Sequence, residues 1–208
     1  IGGGTTTIAI FNENKFVYAD AIAVGGNHIT MDIARGLSTR LDEAERLKVK
    51  QGSALPSASD DRDMLSVMPI GDEDGDIANQ VPRAVLTRII RARVEETLEL
   101  VRDRLNQSGL GQTVGKRVVL TGGGSQLQGM AEVARRILAR NVRIGRPLGV
   151  AGLPEAARGP AFAATGGLLI YPQVAGFEIS AARHAARQKA TGTGGRIARM
   201  GHWLRESL

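Results

Sequence analysis

The sequence predicts an α/β domain with a second, smaller α/β subdomain inserted in it. The order of the elements is the first reason. Strand patterns open the chain, mixed elements follow, and a strand–glycine–helix unit comes last, so the two ends belong to one layered architecture and the middle to another. The second reason is a pair of triglycine turns, Gly2-Gly3-Gly4 leading into the first strand and Gly122-Gly123-Gly124 lying between a strand and a helix.

Each element has a local justification. Thr7–Phe11 and Lys15–Val24 read as strands of a meander joined at Asn12–Asn14, a favourable turn tripeptide. Gly25–Gly26 breaks the chain, and Asn27 is expected to cap a helix from about Ile29 to Gly36. Thr39 is expected to cap a second helix carrying Leu41, Ala44, Leu47 and Lys48 at helical spacing, with Gly52 as its C′-type glycine. Residues 53–63 form a polar loop, and 64–70 and 76–81 are short strands around the acidic Gly71–Gly75 turn. A long helix spans about Pro82 to Ser108, with Val85, Ile89, Ile90, Val94, Leu98, Val101 and Leu105 on one face. Val118–Thr121 is a short buried strand. Helices over 129–139 and 159–168 follow, separated by a strand near 141–144, and a tail begins after about 180.

The tail is the most distinctive segment. Wound at about 100° per residue, Ile197, Met200, Trp203, Leu204 and Leu208 fall within roughly 140° of arc, flanked by Arg199 and Arg205, with His202 and Glu206 turned away. One apolar face bearing a Trp and edged by cations suits a helix lying in a membrane interface, and the segment is far shorter than the roughly 20 apolar residues a span requires. Docking of the helix onto the protein's own core is the alternative. Residues 181–194 argue against it, because they hold no bulky apolar side chain and end in a Gly/Thr tether.

Charge divides the chain the same way. The formal net charge is +6 over 208 residues. Most of it sits in the tail, where Arg183, Arg187, Lys189, Arg196, Arg199 and Arg205 face only Glu206. A nucleic-acid binder carries its basic patch on the folded body, interleaved with aromatics, so nucleic acid is not an expected partner. Zero cysteines exclude disulfides and thiolate metal sites, and three scattered histidines do not suggest zinc. No signal peptide or long apolar run is present. The chain opens at Ile1 inside a glycine-rich turn, which reads as the C-terminal portion of a longer protein.

Glycines at such turns let backbone N–H groups approach phosphates, and a helix N-terminus adds favourable partial charge. Either triglycine alone is equally a tight turn. Between them lie Glu45 and Lys48, one helical turn apart, so a carboxylate and an ammonium can project together toward a ribose and a base; such pairs also decorate solvent-facing helices. Other signals fail. Gly111–Lys116 is one residue short of a P-loop, has Arg117 in place of the magnesium-binding Ser or Thr, and precedes a strand instead of following one. Ser125 lacks a nucleophile elbow, and no catalytic dyad or triad stands out.

The motif IGGGTTTIAIF resembles the second phosphate loop of the actin/heat-shock-chaperone/sugar-kinase ATPase superfamily, and RVVLTGGGSQLQGM resembles that superfamily's adenosine motif. With VGGNHITMDIARGL, LDEAERLKVKQG and the terminal amphipathic helix, the set is similar to the bacterial cell-division family FtsA over essentially the whole chain. The resemblance implies the second half of an actin-like (ribonuclease H-like) fold. Residues 1–36 and 116–180 would form subdomain 2A, 37–115 the inserted subdomain 2B, 181–194 a flexible linker and 195–208 a membrane-targeting helix. It also implies ATP and Mg²⁺ as cofactors of the full-length protein. Gly2, Gly3, Gly4 and Thr5 would cradle the β- and γ-phosphates, Gly122, Gly123 and Gly124 would pass the adenosine and its phosphates, and Glu45 and Lys48 would contact ribose and adenine. Arg83 and Arg93 on the long helix match the surface where this family binds the acidic C-terminal peptide of the tubulin-like FtsZ. Head-to-tail self-association and attachment to the anionic cytoplasmic face of the inner membrane at the division septum complete the implied role.

Two departures bear on activity. The superfamily's magnesium-holding aspartate would precede Ile1, and Thr7 stands where an acidic residue is often found. The first phosphate loop and the catalytic carboxylate would also lie upstream, so this chain is expected to bind ATP weakly and to hydrolyse none usefully. An actin-fold kinase or chaperone ATPase is the alternative, and it leaves the tail without a role. A simple membrane-docking domain leaves the glycine turns idle.

Overall fold

The computed structural model describes residues 1–71, 78–110 and 115–173. They fall into two compact units, one of 1–148 with 152–164, the other of 149–151 with the residues from 165 onward.

The first unit opens with an antiparallel hairpin, β1 (Thr6–Asn12) and β2 (Lys15–Ile22), two residues shorter at its end than expected. Glu13 and Asn14 both have positive φ, at 49° and 62°, the twist that a two-residue hairpin loop requires. Ile8, Ile10 and Ile22 point inward, and Phe11 and Phe16 meet edge to face at 5.8 Å near the tip.

Helix α1 (Gly26–Gly36) begins earlier than predicted. Gly25, and not Asn27, is its cap residue, because carbonyls from elsewhere in the chain satisfy its first N–H groups, as described below. Helix α2 (Leu41–Gln51) follows Arg40 rather than a Thr39 cap. The Thr39 hydroxyl instead donates to the Met68 carbonyl at 2.5 Å, tying the α1–α2 link to the end of the next strand. Gly52 ends α2 without positive φ (−73°); glycine is needed there because a Cβ would lie 2.4 Å from the Lys48 carbonyl oxygen.

A second antiparallel pair, β3 (Met64–Val67) and β4 (Asn79–Pro82), is shorter than the strands expected over 64–70 and 76–81; residues 72–77 lie outside the described set. The polar loop before it is anchored by Asp60, buried although charged. Its carboxylate accepts from the Ser57 N–H at 3.0 Å and the Thr87 hydroxyl at 3.1 Å, the pairing a buried carboxylate requires.

Helix α3 (Arg83–Gln107) is the spine. Leu86, Ile90, Val94 and Leu98, spaced four apart, form a stripe with at most 1 % exposure and pack with Ile33, Leu47, Val67 and Val133 into one core. The chain then makes a parallel β–α–β unit of β5 (Arg117–Leu120), α4 (Met130–Leu138) and β6 (Asn141–Ile144), with a 3₁₀ turn at Gly123–Gln126 after β5. The helix expected at 159–168 is displaced. A 3₁₀ turn occupies Pro160–Phe162 and regular helix runs over 163–173. The Pro160 carbonyl accepts from the Gly122 N–H at 3.0 Å as well as from the Ala163 N–H that closes the 3₁₀ turn. Of the second unit, 165–173 continue this helix.

An ion pair between Glu95 and Arg136 ties α3 to α4. Glu95 accepts from Arg91 at 2.8 Å and from Arg136, and these bonds hold its carboxyl below the ordinary glutamate range against the opposing effect of burial. A lowered folded-state value means that the stabilisation is present above the unfolded value of about 4.3 and is lost as pH falls through the folded one. Comparing denaturation midpoints of wild type and Glu95→Gln between pH 7 and pH 3 should therefore show wild type ahead at neutral pH and the gap closing below about pH 4. A gap that held constant to pH 3 would refute this role for Glu95.

Candidate functional site

The first glycine turn lies across the N-terminus of α1. Gly2 and Gly3 present their carbonyls to the N–H groups of Gly26 and Asn27 at 2.9 and 2.8 Å, and the Gly2 N–H closes the turn on the Thr5 carbonyl at 2.9 Å. The approach is so close that a Cβ on Gly25 would stand 2.6 Å from both the Gly2 and Gly3 carbonyl oxygens. The Gly25 N–H donates in turn to His28 Nδ1 at 3.2 Å.

The second glycine turn is bolted to the first through Ile1. The Ile1 nitrogen donates to the Thr121 carbonyl at 2.7 Å and the Ile1 carbonyl accepts from the Gly124 N–H at 3.0 Å. Gly122 adopts φ 87° and ψ 166°, a region essentially restricted to glycine, and a Cβ there would lie 2.4 Å from the Ile1 oxygen. Ser125, buried behind the turn, donates its hydroxyl to the Gly122 carbonyl at 2.7 Å.

Glu45 and Lys48 reach the same place from α2. The Lys48 ammonium spends its three donors on Glu45 Oε2 at 2.6 Å, Thr30 Oγ1 at 2.8 Å and the Gly26 carbonyl at 3.2 Å. Burial pushes the Glu45 carboxyl up, but bonds from Lys48 and Thr30 and the Lys48 charge outweigh it and hold the group below the ordinary glutamate range. The Glu45 side chain is 46 % exposed and Lys48 only 14 %, so the carboxylate faces outward from a mostly buried cation.

All nine residues singled out for a nucleotide thus gather around residues 1–5 and the start of α1. The arrangement fits phosphate groups. Among the described residues the N–H groups of Gly3, Gly4 and Gly123 carry no hydrogen bond, and the space beside Gly4 is open. Gly25, Thr30 and Ile1 escaped the sequence reading. The Gly25-Gly26 pair reads as a helix breaker until a second strand of backbone is laid across it.

The two arginines of α3 are already engaged. Arg93 grips Asp32 of α1 through Nε at 2.5 Å and Nη2 at 3.0 Å, and Nη1 meets Glu96 at 2.6 Å. Arg83 donates from Nη2 to the Gln51 carbonyl at 3.0 Å and lies 3.8 Å from Asp60. Arg88, by contrast, is exposed and makes no polar contact among the described residues. The membrane-face residues Ile197, Arg199, Met200, Trp203, Leu204, Arg205 and Leu208 lie outside the described residues.

Comparison with known proteins places the chain and its fold. Residues 1–167 match the model of the family described as cell division protein FtsA. The chain is 62 % identical over 208 residues to cell division protein FtsA of Agrobacterium fabrum, covering 100 % of this chain and 47 % of that protein. It is 32 % identical over 215 residues to FtsA of Escherichia coli K12, covering 100 % of this chain and 50 % of the relative. The chain therefore spans about half the length of the curated relatives it matches. Among solved structures, MreB5 of Spiroplasma citri bound to ADP superimposes with a TM-score of 0.62 at 18 % identity, over 86 % of this chain and 54 % of that one. The ethanolamine utilization protein EutJ from Carboxydothermus hydrogenoformans does so with 0.52 at 22 % identity, over 80 % and 45 %. The fold is actin-like, and the chain belongs to the FtsA family of cell-division proteins.

Proposed function

We propose that this chain supplies one wall of an ATP site and the membrane-binding end of a cell-division adaptor that links FtsZ to the inner face of the cytoplasmic membrane. The observation that carries the reading is the convergence of both glycine turns and the Glu45–Lys48 pair on residues 1–5, in a chain of this family. In this reading the free N–H groups of Gly3, Gly4 and Gly123 receive phosphate oxygens, and Glu45 and Lys48 meet ribose and adenine. Bound ATP supplies negative charge that draws the two halves of the complete fold together. Among the described residues no three His, Cys, Asp or Glu side chains cluster to hold a metal ion, and the groups these glycine turns offer to the phosphates are backbone donors. Residues 1–36 and 116–180 act as subdomain 2A and 37–115 as subdomain 2B.

Cations on α3 suit an acidic FtsZ peptide. Arg83 and Arg93 would have to be won from Gln51 and Asp32, whereas Arg88 is available as it stands. Head-to-tail assembly then multiplies a weak membrane contact. A single short amphipathic helix gains about 1 kcal/mol per arginine near anionic lipid, and many helices along a polymer add through effective concentration.

Co-sedimentation with vesicles tests the reading. Wild-type chain is expected to pellet with anionic vesicles and to stay in solution with neutral ones. A version ending at Thr193 should stay in solution with both. Pelleting that survives the truncation, or its absence at high anionic lipid, would overturn the membrane role.

A further inference from the structure

We infer that Thr30 is a positioning residue for the nucleotide: its hydroxyl sets the Glu45 carboxylate and Lys48 ammonium at the start of α1, and so governs recognition of the ribose. This deepens the proposed ATP site and rests on that reading.

Thr30 sits on the second turn of α1 and is 7 % exposed. Its Oγ1 lies 2.5 Å from Glu45 Oε2, 2.8 Å from Lys48 Nζ and 3.2 Å from the Gly26 carbonyl. A hydroxyl has one proton and two lone pairs. Lys48 donates to it. Its own proton goes to the carboxylate, the shorter and charge-assisted contact. Lys48 also donates directly to Glu45 at 2.6 Å, so the three groups close a ring in which each fixes the other two. The ring is anchored to backbone at Gly26, whose N–H is held by the Gly2 carbonyl of the first glycine turn. Thr30 therefore couples the base-and-ribose end of the site to the phosphate end through Lys48 and the backbone of Gly26.

The electrostatics agree. Thr30 is one of the groups that keep Glu45 ionised, so that an outward-facing carboxylate accepts hydrogen bonds, as a ribose hydroxyl would require. Valine keeps the shape of threonine but neither accepts from Lys48 nor donates to Glu45. Serine keeps both functions and loses only a methyl group. Those two substitutions separate positioning from packing.

The experiment is calorimetric titration of ATP and 2′-deoxy-ATP into the 208-residue chain as wild type, Thr30→Val and Thr30→Ser, with thermal melts alongside. Wild type is expected to prefer ATP over the deoxy form. Thr30→Val should raise the Kd for ATP about tenfold and remove that preference, and Thr30→Ser should restore both to within about twofold. If Thr30→Val binds and discriminates as wild type does, the proposal is wrong while the ATP site stands. If Thr30→Ser is as impaired as Thr30→Val and melts equally low, Thr30 is a packing residue and the proposal again fails. If wild type takes up no ATP at millimolar concentration, the nucleotide reading itself falls and takes this inference with it.

Discussion

Gly122→Ala should destabilise the chain by about 3–5 kcal/mol and abolish nucleotide binding. Two costs combine. The backbone at φ 87°, ψ 166° belongs to a region that side chains avoid, worth about 1–3 kcal/mol. A Cβ there would also press on the Ile1 backbone at 2.4 Å from its oxygen and 2.9 Å from its carbonyl carbon, and overpacking of this kind costs about 1–3 kcal/mol. Ile1 cannot yield easily, because bonds to Thr121 and Gly124 fix it on both sides. For a chain of this length the loss corresponds to a drop in melting temperature of roughly 6–20 °C. Gly4→Ala is the internal control. A Cβ at Gly4 meets nothing within 4 Å, so the same substitution on the first glycine turn should leave the melt unchanged. Equal melting of Gly122→Ala and wild type would show that the two glycine turns are not locked through Ile1.

The contrast between those two glycines also marks what the sequence could and could not disclose. Local chemistry made the elements legible. The 3.6-residue stripe of α3, the Asn12–Asn14 turn and the strand before Gly122 each follow from near neighbours in sequence. The caps were misread because their partners are distant. Asn27 and Thr39 are residue types that cap helices, yet the N–H groups of Gly26 and Asn27 are taken by carbonyls at residues 2 and 3, and the Thr39 hydroxyl is claimed by Met68. No local rule anticipates an acceptor some two dozen residues away. The candidate site divides in the same manner. Its glycines and the Glu45–Lys48 spacing were visible as types and intervals, but Thr30 is an unremarkable helix-interior residue until α2 is packed against α1. Arg93 shows the converse: its type suggested an acidic partner, and the acid it meets is Asp32 of its own chain, 61 residues earlier.

Ile90→Ala should cost about 3–4 kcal/mol, within the 2–5 kcal/mol range for shortening a fully buried aliphatic side chain. Ile90 has no exposed surface and sits mid-stripe between Leu86 and Val94, so α3 has no slack with which to close the void. The loss should extend beyond stability. Ile90 Cδ1 packs where α2 ends, 2.9 Å from the position a Cβ on Gly52 would take, and the Lys48 carbonyl borders the same spot at 2.4 Å. Removing Ile90's outer carbons frees the end of the helix that carries Lys48, and ATP affinity should weaken even though no group touching nucleotide has changed. Denaturant unfolding checks the first part, with a lowered midpoint at an unchanged slope. Arg88→Ala supplies the comparison, because an exposed side chain without partners should shift stability by no more than about 0.5 kcal/mol. If Ile90→Ala and Arg88→Ala unfolded at the same midpoint, α3 would not be the spine that holds α1 and α2 together, and Thr30, Glu45 and Lys48 would owe their placement to something else.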